Sequence, residues 1–170
     1  MLLLAAVVVA AGAWAYSSSF PGVFVLDDVR AIVQNSTIRT LWPLSTPLWP
    51  PSKSTVAGRP VANLSFAISY ALAPAAVAGT TGTPGASGVP IAMDATAFHV
   101  GNLLIHLAAA LVLFGVVRRT LVSQRLQARF GAAAPWIGLV VALAWVVHPL
   151  QTSAVTYIVQ RVESLMGLIC

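Results

Sequence analysis

Residues 97–130 read AFHVGNLLIHLAAALVLFGVVRRTLVSQRLQARF. The first 21 of them are uncharged apart from histidine and would span about 31 Å as a helix, which matches a hydrocarbon core of about 30 Å. The remaining thirteen carry Arg118, Arg119, Arg125 and Arg129. A second apolar run, from about Ala132 to Leu150, follows at once. Two spans joined by a short arginine-rich loop place that loop in the cytoplasm, because short basic loops are retained there. The same flanking helices argue against reading the cluster as a nucleic-acid site, so no nucleic-acid partner is expected.

Working outward, the rest of the chain fits a membrane protein. Apolar residues make up 58% of the sequence and charged residues 8%, with a net charge of +5. Mean hydropathy is +0.88. A soluble domain carries about 25% charged residues. The run Met1 to Tyr16 reads as a first span. Ala13-Trp14-Ala15 resembles a signal-peptide cleavage site, but no basic segment precedes the run, which favours a retained span. Either way, residues 17–96 emerge on the outer face. A 118–131 inner loop and a third span over 132–150 then put residues 151–164 outside again. A fourth span starts near Leu165. The chain stops inside that apolar run at Cys170, its single cysteine, and so reads as a fragment of a longer protein whose isolated activity is not expected.

The outer loop contains its own apolar stretch, from Val61 to Gly79. As a span it would turn the arginine-rich loop outward. It also holds Asn63, Ser65, Ser69, Tyr70 and Pro74. It is therefore expected to lie in the interface as a helix over about 60–73, with Pro60 at the first helical position. Gly79 to Gly88 reads as a flexible linker. Residues 151–164 place Thr152, Thr156, Gln160 and Glu163 on one stripe of a second interfacial helix.

Several residues could carry chemistry. Asp27 and Asp28 are adjacent carboxylates just beyond the first span; mutual repulsion raises one pKa, which suits a general base or a divalent-metal ligand. Arg59 precedes a helix start at membrane level and could hold a phosphate or snorkel to headgroups. His99, Asn102 and His106 share one face of the second span, as a polar pathway or as interhelical glue. Arg161 sits at the edge of an apolar arc and needs a partner: Glu163, an aspartate of the first loop or a lipid phosphate. His148 opens the last segment.

That last segment, His148-Pro149-Leu150-Gln151-Thr152 through Ala154–Arg161 and Glu163–Leu168, resembles a family of bacterial membrane proteins that often carry C-terminal tetratricopeptide repeats. That family is similar to the animal transmembrane O-mannosyltransferases that act on cadherins. Phe24–Asp28, Gly58-Arg59-Pro60 with Asn63–Ala67, and Phe98-His99 with Asn102–Leu107 fit the same pattern. Ser153 stands where many relatives have Glu, and the Gly79–Gly88 stretch is longer than the corresponding linker.

The resemblance implies an all-α integral membrane protein, the N-terminal part of a GT-C multi-span bundle with interfacial helices in the first outer loop. It implies transfer of a mannose-type sugar from a polyprenyl-phosphate donor to a hydroxyl of a protein or glycan acceptor. The site would face the periplasm from a bacterial inner membrane, among membrane lipids. Asp27 or Asp28 would be catalytic, with Asp27 preferred; Arg59 and Arg161 would bind the donor phosphate; His148, Glu163, His99 and His106 would support them. No cofactor is certain, and a divalent metal would belong at Asp27 and Asp28. The competing readings are a non-catalytic scaffold that presents repeats and a transporter component using the His99/His106 face.

Overall fold

A computed structural model describes residues 1–20, 24–73, 83–84, 90–91 and 94–169. The expected linker over Gly79–Gly88 lies almost wholly outside these residues. The described chain is helical apart from one antiparallel pairing of Thr83–Pro84 with Pro90–Ile91.

Eight α-helices follow in order: α1 (Leu2–Ala15), α2 (Ser45–Leu48), α3 (Pro60–Leu72), α4 (Thr96–Leu121), α5 (Gln127–Phe130), α6 (Ala134–Val146), α7 (Thr152–Thr156) and α8 (Arg161–Ile169). Among the described residues, two helical stretches are long and apolar enough to cross a membrane, Leu2–Ser19 and Thr96–Leu121, and the bent pair Ala134–Val146 with Pro149–Thr156 makes a third if it counts as one span. The first two bury only a small share of their residues inside the chain. Large apolar side chains such as Leu3, Val112 and Val116 point outward, as lipid or further helices require.

Helix α4 is the axis of the fold and touches α1, α3, α6, α7 and α8. Small residues let its neighbours approach. A Cβ on Gly12 would come within 2.5 Å of Leu107 and 3.0 Å of Val146, so α1, α4 and α6 meet at a glycine. The core has two parts. One lies between the spans, around Val8, Leu107, Ala110 and Val146. The other joins the outer loop to α3, α4 and α8, around Phe24, Ile32, Phe66, Phe98 and Ile158.

Three expected boundaries are corrected. Arg118 and Arg119 belong to the last turn of α4, not to a loop. Their charge there is favourable beside the carbonyl end of the helix dipole. The third apolar segment is not one helix over 132–150. Helix α6 stops at Val146, His148 is extended (φ −64°, ψ 131°), and the chain resumes at Pro149 after a 55° bend. A residue preceding proline is driven out of the helical region, which accounts for the break.

The outer segment 151–164 is not one amphipathic helix either. It breaks at Tyr157, which is extended at φ −98°, ψ 109°, and restarts through a 3₁₀ turn at Ile158–Gln160 into α8. Helical pattern alone would have carried through. The break is held because distant side chains satisfy the backbone groups it frees. The Asn102 amide donates toward the carbonyls of Val155, Tyr157 and Ile158 at 3.3–3.4 Å. The Val159 N–H donates to Asp28.

Candidate functional site

The site is built where the first outer loop meets the broken segment after α6. Val25 leads into a tight turn at Leu26, a non-glycine residue at φ 45°. That left-handed conformation costs a leucine about 1 kcal/mol or more. It turns the chain so that the next two residues part company. Asp27 is exposed, whereas Asp28 is fully buried.

Asp28 is anchored at both oxygens. Oδ2 accepts the Val25 N–H at 3.1 Å, and Oδ1 accepts the Val159 N–H at 2.8 Å. Burial pushes its pKa up to about 6; the backbone donors pull the other way, and the charge of Asp27 adds to the rise. The buried carboxylate thereby ties residues 25–28 to the segment after the third apolar helix.

Asp27 is exposed and lies near Tyr157. The Tyr157 pKa is raised, chiefly by burial and further by the nearby aspartates. Tyr157 is the residue that sequence reading missed. It gave no separate signal because it stood inside a regular helical pattern, and only the break at this position turns it toward Asp27.

The Asp27/Asp28 pair does not present a chelating donor set. Both Asp28 oxygens are engaged by backbone N–H groups, and Asp27 faces away. Among the described residues, no group of three or more His, Cys, Asp or Glu converges.

Arg161 lies elsewhere than expected. It is 1% exposed and meets neither Glu163 nor an aspartate. Nε donates to Asn102 Oδ1 at 2.7 Å, Nη1 to the Ser65 carbonyl at 3.0 Å and Ser69 Oγ at 2.8 Å, and Nη2 to the Phe98 carbonyl at 2.6 Å. Its guanidinium also lies over the Phe66 ring, 4.7 Å from the centroid. Burial lowers its pKa to about 9, so it is charged at neutral pH. This planar fork, held by four neutral acceptors, clamps α8 to α3 and α4. Its guanidinium is buried away from the surface. Gly101 makes the approach feasible, since a Cβ there would lie 2.5 Å from Nη2.

Arg59 and Glu163 are brought together in an ion pair at 3.3 Å, both largely exposed at 42% and 55%. Arg59 Nη1 also donates to the Thr55 carbonyl at 3.2 Å. His148 is exposed and caps the turn at Pro149–Gln151, its Nδ1 accepting the Leu150 N–H at 3.2 Å. His99 and His106 are buried. His99 Nδ1 lies 3.4 Å from the Val155 carbonyl oxygen. His106 Nε2 lies 3.0 Å from that of Val146, and its ring stacks on Trp145 at 4.7 Å. Both histidines bind backbone carbonyls and hold helices together, whatever else they do.

The loop itself is stiffened by an asparagine network. Asn35 Nδ2 donates to Asn63 Oδ1 at 2.8 Å, and Asn63 Nδ2 donates to Thr37 Oγ1 at 2.9 Å and to the Pro47 carbonyl at 2.7 Å. The polar face of α3 therefore looks into the protein.

No family model and no solved structure matches the chain. It is similar to the human protein O-mannosyl-transferase TMTC4, 30% identical over 169 residues that cover 90% of this chain and 20% of that protein. It is likewise similar to the mouse protein O-mannosyl-transferase TMTC1, 30% identical over 174 residues, covering 97% of this chain and 16% of the relative. The chain thus spans about a fifth of the length of the curated relatives it matches. Over nearly its whole length, it is a distant relative of protein O-mannosyl-transferases.

Proposed function

We propose that this chain contributes the catalytic loop of a membrane glycosyltransferase of the GT-C type. The enzyme moves a mannose-type sugar from a polyprenyl-phosphate donor to a hydroxyl of a protein or glycan acceptor. The observation that carries the reading is the division of labour in the aspartate pair. Asp28 is spent on anchoring the loop to Val159. Asp27 is left exposed beside Tyr157, as a general base must be. The distant relationship to protein O-mannosyl-transferases supports the same chemistry.

In this mechanism Asp27 accepts the proton of the acceptor hydroxyl as its oxygen attacks the anomeric carbon. The bond from that carbon to the phosphate oxygen breaks with its electron pair, and the sugar inverts. Arg59 stabilises the charge growing on the phosphate. Arg161 acts at one remove, by fixing α8 and the Tyr157 break. Arginine placement supports an outer-face site with Arg118–Arg129 in the cytoplasm, and the reading assigns that outer face to the periplasm of a bacterial inner membrane.

The reading is tested by assaying transfer from a mannosyl-phospho-polyprenol to an acceptor protein with membranes containing the wild type or Asp27→Asn. Loss of transfer with normal insertion supports it. Undiminished transfer refutes it. Labelling of single cysteines at positions 53 and 124 in intact cells tests the orientation: only position 53 should react from outside.

A further inference from the structure

Among the described residues, helix α4 leaves one face uncovered near its C-terminal end. Val112, Gly115, Val116 and Arg119 fall at i, i+3, i+4 and i+7, on one side of the helix. The opposite side carries Phe114, buried against Gly138 of α6. With Arg118 and Val122, the four residues line a recess of about 450 Å³. All six are exposed. The recess is mainly apolar, and its two arginines sit at one end. Gly115 forms a notch in it that nothing in the described chain fills. A Cβ there would meet no atom within 4 Å, whereas one on Gly12, Gly101 or Gly138 would press on a neighbouring side chain. A glycine inside a helix costs about 1 kcal/mol relative to alanine.

Arg118 and Arg119 also lack counter-charges. No Asp or Glu occurs between Asp94 and Glu163. Among the described residues, neither arginine forms an ion pair or a side-chain hydrogen bond. We propose that the recess is a site for one anionic phospholipid, with its phosphodiester on Arg118 and Arg119 and one acyl chain along Val112, Gly115 and Val116. The order along the helix is that of a lipid in its leaflet. Val112 lies about 10 Å from Arg119 toward the middle of the span, so the acyl chain runs inward from the headgroup. Guanidiniums present planar forks that match phosphate oxygens. A second copy related by a two-fold axis along the membrane normal would set the same arginines against each other. A zwitterionic headgroup would bring its own cation to the pair. The site goes beyond the transferase reading and does not depend on it, since it needs only α4 in a bilayer. With α4 oriented as proposed above, the leaflet is the cytoplasmic one, where basic pockets hold anionic headgroups.

The test is native mass spectrometry of the purified full-length protein, titrated with phosphatidylglycerol or with phosphatidylcholine of the same acyl chains. The first equivalent of phosphatidylglycerol should bind about tenfold or more tightly than that of phosphatidylcholine. Arg118→Gln with Arg119→Gln should erase the preference. Arg118→Lys with Arg119→Lys should keep most of it, because the charge remains. Gly115→Leu keeps every charge and should weaken phosphatidylglycerol several-fold by filling the notch. Arg125→Gln with Arg129→Gln removes the same charge outside the recess and should change binding by less than about twofold. Inorganic phosphate should not displace the lipid, since it has no chain to lay on the valines. The substituted positions are all exposed, so Tm should hold in every variant.

Equal weakening by the 118/119 and 125/129 glutamine pairs would show diffuse attraction to a basic segment and overturn the proposal. So would undiminished binding by Gly115→Leu, or displacement by inorganic phosphate. Absence of any preference for phosphatidylglycerol in the full-length protein would overturn it too, and is the result expected if further helices cover this face. None of these readouts involves sugar transfer, so the site and the transferase reading stand or fall separately.

Discussion

The Asp28 carboxylate accepts the Val159 N–H at 2.8 Å, joining residues 131 positions apart. This bond connects the loop after the first span to the segment after α6 and holds Asp28 inside. Asp28→Asn keeps the size of the side chain but sets an amide N–H against a backbone N–H. The loss should be about 1–3 kcal/mol, read as a lower Tm in detergent. Asp27→Asn should leave Tm unchanged.

The same carboxylate has a pH signature. Its folded pKa is raised to about 6, above its ordinary value of 3.8. Between these values the folded protein holds more protons than the unfolded chain, so stability falls as pH rises from about 4 to 6. The slope in a series of Tm measurements over that window should flatten in Asp28→Asn.

Arg161 should tolerate no replacement. Arg161→Met leaves Asn102, Ser69 and the Phe98 carbonyl without their donor and should cost about 1–3 kcal/mol for each group left unpaired. Arg161→Lys offers a point charge in place of a fork and should recover only part of that. Gly101→Ala pushes a methyl against the guanidinium and should cost about 1–3 kcal/mol. Combined with Arg161→Lys it should be less than additive, since the two act on one contact. Denaturation of the four variants checks this.

Tyr157→Phe removes the hydroxyl beside Asp27 and nothing else. Transfer should fall with no change in Tm, because the exposed carboxylate loses a neighbouring hydroxyl. Undiminished transfer would show Tyr157 to be only a hinge in the backbone.

These residues also show what could be read from the sequence. Charge-poor runs and arginine placement mark the apolar helices because lipid imposes composition directly. The aspartate pair was visible as a candidate for the same local reason. Three things were not visible. The helical pattern from Thr152 to Glu163 is broken at Tyr157, where the Asn102 amide donates to the Tyr157 carbonyl and the Val159 N–H donates to Asp28, partners that no local window contains. Arg161 was assigned an acidic or phosphate partner, whereas carbonyls, a hydroxyl and an amide close around it once three helices meet. Asp27 and Asp28 look equivalent as letters and are separated only by the left-handed turn at Leu26.

The central claim is that Asp27 is the exposed general base and Asp28 its anchor. Sugar transfer by the full-length Asp27→Asn enzyme, measured alongside its Tm, tests it most directly. The account predicts a fall in kcat of about a hundredfold or more with Tm unchanged and the polyprenyl-phosphate donor still bound. Transfer within a few-fold of wild type would contradict it.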